Sequence, residues 1–479
     1  MGSRDIGVAM NGIKQIAYFG ISTLFLKVLG FALLPITTRI LSQAEFGELN
    51  FLVSISAVMS LLLCLGLPDL LFKQQMNNPQ HKRALFRDAL LVCAIVSSVF
   101  VCLVFYCIDY LSALLPVTLN ALDIKLLAIN LALSSLLSIL FCYFRYYEMA
   151  KQFCILAMLQ GMGQTLLTVV LLYSGHGVTG VMASGVVSSA LVLCIAIVLV
   201  LKPLGISFKR VSWKISYKNG LFLISIVTSS LFVYANNGAE NWFIVASEGK
   251  EKLAQYYVAL QFAVMTSFAF EPIRMWWFSR RFDELAKNRE RYVELCTLCL
   301  DSAILLCALM LIITPSIFSL VLPQNYQLHT WLLPSLIFIV VIKHHSDLLN
   351  IGCYIHYNGA FVTVVNAVSA FAVLALLAVL VPRYNVYGVV VALCIAQLIK
   401  TSLLIVISQQ LESLTFSVTR LLPSWVCFSL IYFLSITQTA YFELIQCIVF
   451  ICFLIALFYK YKPAILALTQ QTMRGKVYD

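Results

Sequence analysis

The sequence predicts an all-α, polytopic membrane protein with about fourteen transmembrane helices. Hydrophobic residues make up 61% of the 479 residues, charged residues make up only 11%, and the mean hydropathy is +0.94. A soluble globular domain has a charged share of about a quarter, so this composition excludes a soluble globule. The apolar residues fall in windows of about 20 residues, which is the length that a helix needs to cross a bilayer.

These apolar windows follow one another along the whole chain and set the order of the helices. The longest polar intervals, 202–218 and 278–294, are too short to bury a core of their own. A nucleotide-binding domain is therefore not predicted, and neither is ATP-driven transport by this chain alone. The predicted spans are 16–40, 46–67, 84–108, 121–144, 153–173, 178–201, 219–245, 255–277, 295–321, 331–353, 359–381, 386–408, 421–437 and 440–459.

The lysines and arginines orient these spans. Positive charge accumulates in the cytoplasmic loops of membrane proteins, and with both termini in the cytoplasm 24 of the 32 basic residues fall on that side and four on the other. A miscounted helix in mid-chain would blur this ratio. The same bias explains the formal net charge of +11 as a topology signal, and we expect no nucleic-acid partner.

The layout of the chain also predicts two related halves. Span two ends in Pro68-Asp69 before a basic loop, and span eight carries Glu271-Pro272 and Arg274 before another. We interpret this similarity in layout as evidence of two six-helix bundles, 1–205 and 206–410, related by a pseudo-twofold axis. Residues 411–479 then form an additional helix pair and a cytoplasmic tail.

Two stretches resemble a known family. The run FGISTLFLKVLGFALLPITTRILSQAEFGELNFLVSI, residues 19–55, and the run ALQFAVMTSFAFEPIRMWWFSRRF, residues 259–282, are similar to polysaccharide-unit flippases. These are the Wzx-type members of the multidrug/oligosaccharidyl-lipid/polysaccharide exporter superfamily. The resemblance implies a MATE-like architecture and a transporter rather than an enzyme, without a cofactor.

The substrate and the location also come from this resemblance. It implies a lipid-linked oligosaccharide, such as an O-antigen repeat unit on undecaprenyl pyrophosphate, that moves from the cytoplasmic to the periplasmic leaflet of a bacterial inner membrane. A polysaccharide polymerase and chain-length proteins are the partners it suggests. One departure concerns span seven, where relatives often carry an Asp and this chain has Asn236-Asn237-Gly238, which puts cation coupling at that position in doubt.

Four cations lie within or at the edges of predicted spans and are not explained by topology. An unpaired charge at the bilayer centre costs at least a few kcal/mol, whereas a carrier of a pyrophosphate needs fixed positive charge. Lys27 and Arg274 are the first candidates, because they lie on corresponding helices of the two predicted halves. Lys400 and Arg39 follow, although Arg39 could anchor at the interface and Arg274 could pair with Glu271 one turn away.

The remaining polar candidates are amides and acids. Asn236, Asn237 and Glu240 are predicted to share a face of span seven, where they could bind sugar hydroxyls or accept a coupling ion. Asp301 in span nine is a second ion-coupling candidate. Lys343 and Asp347 have the i, i+4 spacing of an ion pair, and the adjacent histidines between them point about 100° apart and predict no metal site.

Other functions stay open from the sequence. A cation-coupled drug or metabolite antiporter of the same superfamily should have an acidic cavity, whereas the buried cations here at least match the buried acids. A lipid II flippase shares the fourteen-helix plan and a cationic cavity. A membrane glycosyltransferase or polymerase is disfavoured, because the predicted periplasmic loops are short and nearly uncharged.

Overall fold

The computed structural model describes residues 3–73, 79–204, 217–324, 326, 329–355, 360–438 and 441–475. Within these ranges the chain is helical throughout. The helices are α1 (Ser3–Ile40), α2 (Gln43–Cys64), α3 (Leu67–Lys73), α4 (Pro79–Tyr106), α5 (Ile108–Leu114), α6 (Ala121–Tyr146), α7 (Ala150–Tyr173), α8 (Gly177–Leu204), α9 (Tyr217–Asn237), α10 (Glu240–Phe278), α11 (Arg281–Lys287), α12 (Arg289–Val321), α13 (Leu332–Leu348), α14 (Ile351–Ile355), α15 (Ala360–Leu411), α16 (Val418–Thr437) and α17 (Phe442–Gly475).

Twelve helices in the described ranges are long and apolar enough to cross a membrane. The prediction of an all-α membrane protein is confirmed, and the count of about fourteen differs from twelve for two reasons. Helix α13 has only 17 residues. Helix α15 contains two of the predicted spans, which are separated at Asn385, where the backbone is non-helical (φ 54°, ψ −139°).

The break in α15 is a hairpin between two antiparallel helices. A continuous helix of 52 residues would be about 78 Å long, more than twice the hydrocarbon thickness. Instead, a Cβ on Gly388 would lie 2.4 Å from the carbonyl oxygen of Leu380. The Ser369 hydroxyl likewise donates to the carbonyl of Ala396 over 3.3 Å. Both contacts require the chain to reverse, and glycine permits the close approach.

The chain forms two compact units, and the boundary between them falls inside α10. Unit 1 is Met1–Gln255 and unit 2 is Tyr256–Asp479. In unit 1, α6 packs against α4 and α8, and α7 packs against α1 and α8. The close packing of α8 includes a 2.6 Å hydrogen bond between the Ser184 and Thr168 hydroxyls. The repeat boundaries predicted at 205 and 410 remain a prediction.

Unit 2 is built around α12. This helix packs against α11, α13, α16 and α17, while α15 covers α13 and α14. Its core includes the fully buried Trp277 and Tyr292, whose ring centroids are 5.1 Å apart. The C-terminal pair α16 and α17 therefore belongs to the packed structure of unit 2.

Candidate functional site

One group of charges in unit 2 centres on Asp347, on the last turn of α13. Four cations interact electrostatically with this half-buried carboxylate. We call this group the Asp347 cluster, and its cations are Arg274, Arg281, Lys343 and Lys400. Four helices therefore contribute to it, namely α10, α11, α13 and α15. It brings together two of the predicted substrate-binding residues, Arg274 and Lys400, with the predicted pair Lys343 and Asp347.

Arg274 is held by a carboxylate on its own helix. Its guanidinium Nη2 donates to Glu271 Oε1 over 2.7 Å, and the exposed fractions of the two side chains are 39% and 25%. The pairing one turn away is therefore present. Because about two fifths of the Arg274 side chain is still exposed, and a guanidinium has five N–H donors, the pairing leaves donors that can reach an anion.

Arg281 opens the short helix α11 and is the member of the cluster that sequence reasoning missed. It is only 5% exposed, its Nη1 donates to Asn350 Oδ1 over 3.1 Å, and its guanidinium lies 4.1 Å from the Phe278 ring centroid. Burial lowers the pKa of this guanidinium from its ordinary value, but arginine keeps its charge in proteins. Its position next to Arg280 in a basic loop made it look like a topology charge.

His344 follows Lys343 in α13 and lies close to the same cluster. It is 4% exposed, and its ring centroid is 4.5 Å from that of Phe270. Neither ring nitrogen has a hydrogen-bond partner among the described residues. Arg274 and Lys343 both act electrostatically on this ring, so it belongs to the surroundings of the cations.

The Asp347 cluster has more positive than negative charge. Arg274, Arg281, Lys343 and Lys400 face two carboxylates, Asp347 and Glu271, in the part of the chain that the structure describes. Surplus positive charge in apolar surroundings attracts an anion strongly, because the dielectric screening is weak. Arginine binds phosphate oxygens with two parallel hydrogen bonds, while lysine acts as a point charge. The arrangement can therefore hold a phosphate-like group.

Asp301, an ion-coupling candidate, lies elsewhere in unit 2 and has three donors. It is 1% exposed on α12, and it accepts from Ser424 over 2.6 Å, from Lys460 over 2.6 Å and from Tyr461 over 2.5 Å. Lys460 also donates to the carbonyl of Arg420 over 2.6 Å. These contacts tie α16 and α17 to α12. The structure thus places Asp301 at the attachment point of the C-terminal helix pair.

In unit 1 the predicted cations lie on α1. Lys27 is half-buried in the middle of the helix, and Arg39 is exposed in its last turn. The neighbouring residue Leu26 packs against α7, because a Cβ on Gly161 would lie 2.2 Å from its Cδ2 atom. Lys27 and Arg39 are twelve positions apart, which corresponds to about 18 Å along a helix, so the two cations lie at different depths.

The prediction that Asn236, Asn237 and Glu240 share one helix face is wrong. Helix α9 ends at Asn237, residues 238–239 form a turn, and Glu240 begins α10. The two asparagine side chains donate to carbonyls of their own helix, Asn236 to Phe232 over 2.8 Å and Asn237 to Val233 over 2.9 Å. Apolar windows cannot detect a turn inside a polar stretch, which is why the predicted span ran on to 245.

A hydrogen-bond network holds this turn against α2. The Tyr234 hydroxyl lies 2.9 Å from Ser54 Oγ and accepts from Trp242 Nε1 over 2.9 Å, and Asn241 Nδ2 donates to Ser54 over 3.3 Å. Glu240 is 2% exposed beside this network and acts electrostatically on Tyr234. Glu240 is thus a buried carboxylate at a helix N-terminus, where the helix dipole favours negative charge.

Helix α10 contacts α2 a second time next to Gly249, where the backbone of α10 is non-helical. Lys250 donates to Glu48 over 2.7 Å and to the carbonyl of Thr118 over 3.1 Å. A Cβ on Gly47 would lie 1.8 Å from the carbonyl oxygen of Lys250. Gly249 supplies the required bend with φ 84°. These contacts fix the first part of α10 to unit 1.

Solved structures with a similar fold include a lipid II flippase and MATE transporters. The lipid II flippase MurJ in an inward closed conformation matches with a TM-score of 0.66 and 12% identity, covering 93% of this chain and 99% of that chain. An inward-facing multidrug resistance MATE family transporter of the MOP superfamily gives 0.60 and 13%, covering 83% and 97%. A MATE transporter of Vibrio cholerae gives 0.54 and 12%, covering 83% and 96%.

These similarities show a MurJ-like and MATE-like fold, as predicted. A search of the curated proteins finds no match. A family described as polysaccharide biosynthesis protein matches residues 13–278. Because this match covers more than half of the chain, the protein belongs to the polysaccharide biosynthesis protein family.

Proposed function

We propose that the protein is a flippase that moves an undecaprenyl-pyrophosphate-linked oligosaccharide from the cytoplasmic to the periplasmic leaflet of a bacterial inner membrane. The observation that carries the proposal is the Asp347 cluster, in which Arg274 and Lys400 lie on helices long and apolar enough to cross a membrane. A substrate with a dianionic pyrophosphate needs such a site to leave the headgroup region. Membership of the polysaccharide biosynthesis protein family supports an oligosaccharide cargo.

The proposed step is alternating access without covalent chemistry. Arg274 and Lys400 bind the pyrophosphate, Arg281 and Lys343 add to the positive field, and Asp347 offsets the repulsion between the cations when no substrate is bound. Lys27 and Arg39 on α1 are proposed to contact the anion at other depths. A polysaccharide polymerase and chain-length proteins would then act on the flipped product.

The test is deletion of the gene followed by analysis of lipid-linked intermediates. The expected result is accumulation of one oligosaccharide on undecaprenyl pyrophosphate in the cytoplasmic leaflet, with loss of the corresponding surface glycan. Complementation with the wild-type gene should restore both, whereas the Arg274→Ala/Lys400→Ala variant should restore neither. An unchanged lipid profile would disprove the proposal and favour a drug or metabolite antiporter, and accumulation of the peptidoglycan precursor would favour a lipid II flippase.

A further inference from the structure

Unit 1 contains a cavity of about 290 Å³ at the end of α2, where the chain turns into α3. Helices α6 and α9 complete its wall. Its lining is rich in hydroxyl groups, which is unusual among helices that are otherwise apolar. The hydrophilic lining residues are Ser60, Asp69, Ser134, Ser135, Ser138 and Ser230.

Three of these hydroxyl groups already donate their protons, namely Ser60 to the carbonyl of Ala57 over 3.0 Å, Ser134 to Asn130 Oδ1 over 3.5 Å and Ser135 to the carbonyl of Ala132 over 2.9 Å. Ser135 Oγ also lies 2.7 Å from Ser97 Oγ, which occupies one of its two lone pairs. A hydroxyl has one proton and two lone pairs, so these groups turn acceptor lone pairs toward other partners. The Asp69 carboxylate is exposed and accepts as well. The lining therefore favours a ligand that donates several hydrogen bonds.

Other ligand classes fit the cavity poorly. The described residues that line it include no lysine or arginine, so nothing there balances the charge of a phosphate. A bare Ca²⁺ ion takes six to eight oxygen ligands at contact distance, whereas a volume of about 290 Å³ is near the lower end of pockets for small organic molecules. A sugar ring has both the size and the ring of hydroxyl donors.

The turn between α2 and α3 packs closely against α9 at one wall of this cavity. Leu65 and Gly66 are both in the left-handed region, with φ 50° and φ 66°. A Cβ on Gly66 would lie 2.9 Å from Cγ2 of Ile226, another lining residue. The backbone of Gly66 and the side chain of Ile226 are therefore in close contact at this wall. A cavity that exists before the ligand binds loses little conformational entropy on binding.

We infer that this serine-lined cavity is a sugar-binding subsite, which takes one hexose ring of the cargo through its hydroxyl donors. The inference rests on the proposed function for the identity of the cargo. Ser60, Ser134 and Asp69 accept hydrogen bonds from the ring hydroxyls. Unit 1 thus recognises the carbohydrate part of the substrate, and the Asp347 cluster of unit 2 binds its pyrophosphate.

Free monosaccharides test the subsite without the lipid carrier. The full-length protein in nanodiscs is titrated with glucose, galactose, rhamnose and N-acetylglucosamine, and binding is measured by ligand-observed NMR. At least one sugar should bind, and Ser230→Leu, which fills the cavity, should weaken it by about tenfold or more. Asp69→Asn, which replaces one acceptor oxygen by a donor, should weaken it by a smaller factor of about five.

The matched control is Ser225→Leu, on the same helix as Ser230 but exposed, which should bind the sugar as the wild type does. Melting temperatures of all variants establish that they fold. If no sugar in the panel binds, or if Ser230→Leu binds as tightly as Ser225→Leu, the subsite is disproved. The proposed function is tested separately, by the lipid-linked intermediates of the deletion strain. If a sugar binds but the deletion strain accumulates no lipid-linked oligosaccharide, the subsite is supported and the flippase proposal is overturned.

Discussion

The two units of the protein present opposite chemistry to a ligand. Unit 1 contains the serine-lined cavity, with hydroxyl acceptors and the exposed Asp69, and a buried carboxylate at Glu240. Unit 2 contains the Asp347 cluster, in which four cations face the carboxylates of Asp347 and Glu271, and the buried Asp301 is paired with Lys460. We therefore propose that unit 1 recognises hydroxyl groups of the substrate and that unit 2 binds its anionic group.

The largest expected effect concerns Asp301, which we interpret as structural. Asp301→Ala leaves Lys460 without its carboxylate, and removing one partner of a buried ion pair costs about 3–5 kcal/mol. The variant should therefore melt at a markedly lower temperature in detergent. The double variant Asp301→Ala/Lys460→Met should regain much of the lost stability. Glu290→Ala, at an exposed position of the same helix, is the control and should melt as the wild type does.

Transport by the Asp301 variants tests the structural interpretation of this residue further. A double variant that is stable but has lost its dependence on an ion gradient would contradict the structural interpretation. Asp301 would then be the coupling acid of unit 2.

The second effect concerns the cations of unit 2. Arg274→Ala and Lys400→Ala should each slow flipping by about 10- to 100-fold, because a hydrogen bond to a charged group contributes about 1.5–3 kcal/mol. Flipping is measured in proteoliposomes with a fluorescent lipid-linked oligosaccharide, at equal protein abundance. Arg289→Ala is the matched control, because Arg289 is 63% exposed and pairs with Glu412 away from the cluster. Normal flipping by both cluster variants would show that the cluster does not bind substrate.

The third effect compares close backbone contacts in the two units. A Cβ at Gly47 would lie 1.8 Å from the Lys250 carbonyl oxygen in unit 1, and one at Gly352 would lie 2.3 Å from the Ser408 carbonyl oxygen in unit 2. Alanine at either position should lower the free energy of unfolding by about 1–3 kcal/mol through overpacking. Denaturant titration of each variant measures this change.

The glycine control is Gly30→Ala in α1, where nothing lies within 4 Å of the added Cβ. Alanine there should be neutral or stabilising by up to about 1 kcal/mol, because glycine weakens a helix interior. If Gly47→Ala and Gly30→Ala behave alike, the close contact of α2 with Lys250 is not present in the folded protein.

The smallest expected effect distinguishes the acids of the two units. We propose that Glu240 is the residue that accepts a coupling ion, so Glu240→Gln should reduce gradient-driven flipping by about tenfold and leave flipping without a gradient unchanged. Asp301→Asn, which keeps an acceptor for Ser424, should retain the gradient dependence. Transport by Glu240→Gln that responds fully to a proton or sodium gradient would remove Glu240 from this role.

Much of the fold could be predicted because the bilayer constrains local sequence. An apolar window long enough to span must be a helix, since its backbone polar groups find no water to bond. The order of the helices and their membrane character therefore follow from hydropathy. The windows did not reveal where a polar stretch turns, as at Gly238, but they did separate the spans 359–381 and 386–408, and the helix breaks between them at Asn385.

The candidate site was predictable only in part. Arg274 and Lys400 stand out in the sequence because their spans are otherwise apolar, and Lys343 and Asp347 stand out by their spacing. Arg281 does not stand out, because a basic residue in a basic loop looks like a topology charge. Only the packing of α11 against α12 buries it near Asp347.

The sequence by itself determined a multi-pass, all-helical membrane protein and the set of intramembrane charges that need an explanation, because both follow from the transfer of side chains out of water. The tertiary structure decided which charges are partners. It placed Asp301 beside Lys460, gathered four cations around Asp347, and left the serines of α2, α6 and α9 around one cavity. These residues are far apart along the chain, and only helix packing sets the distances between them.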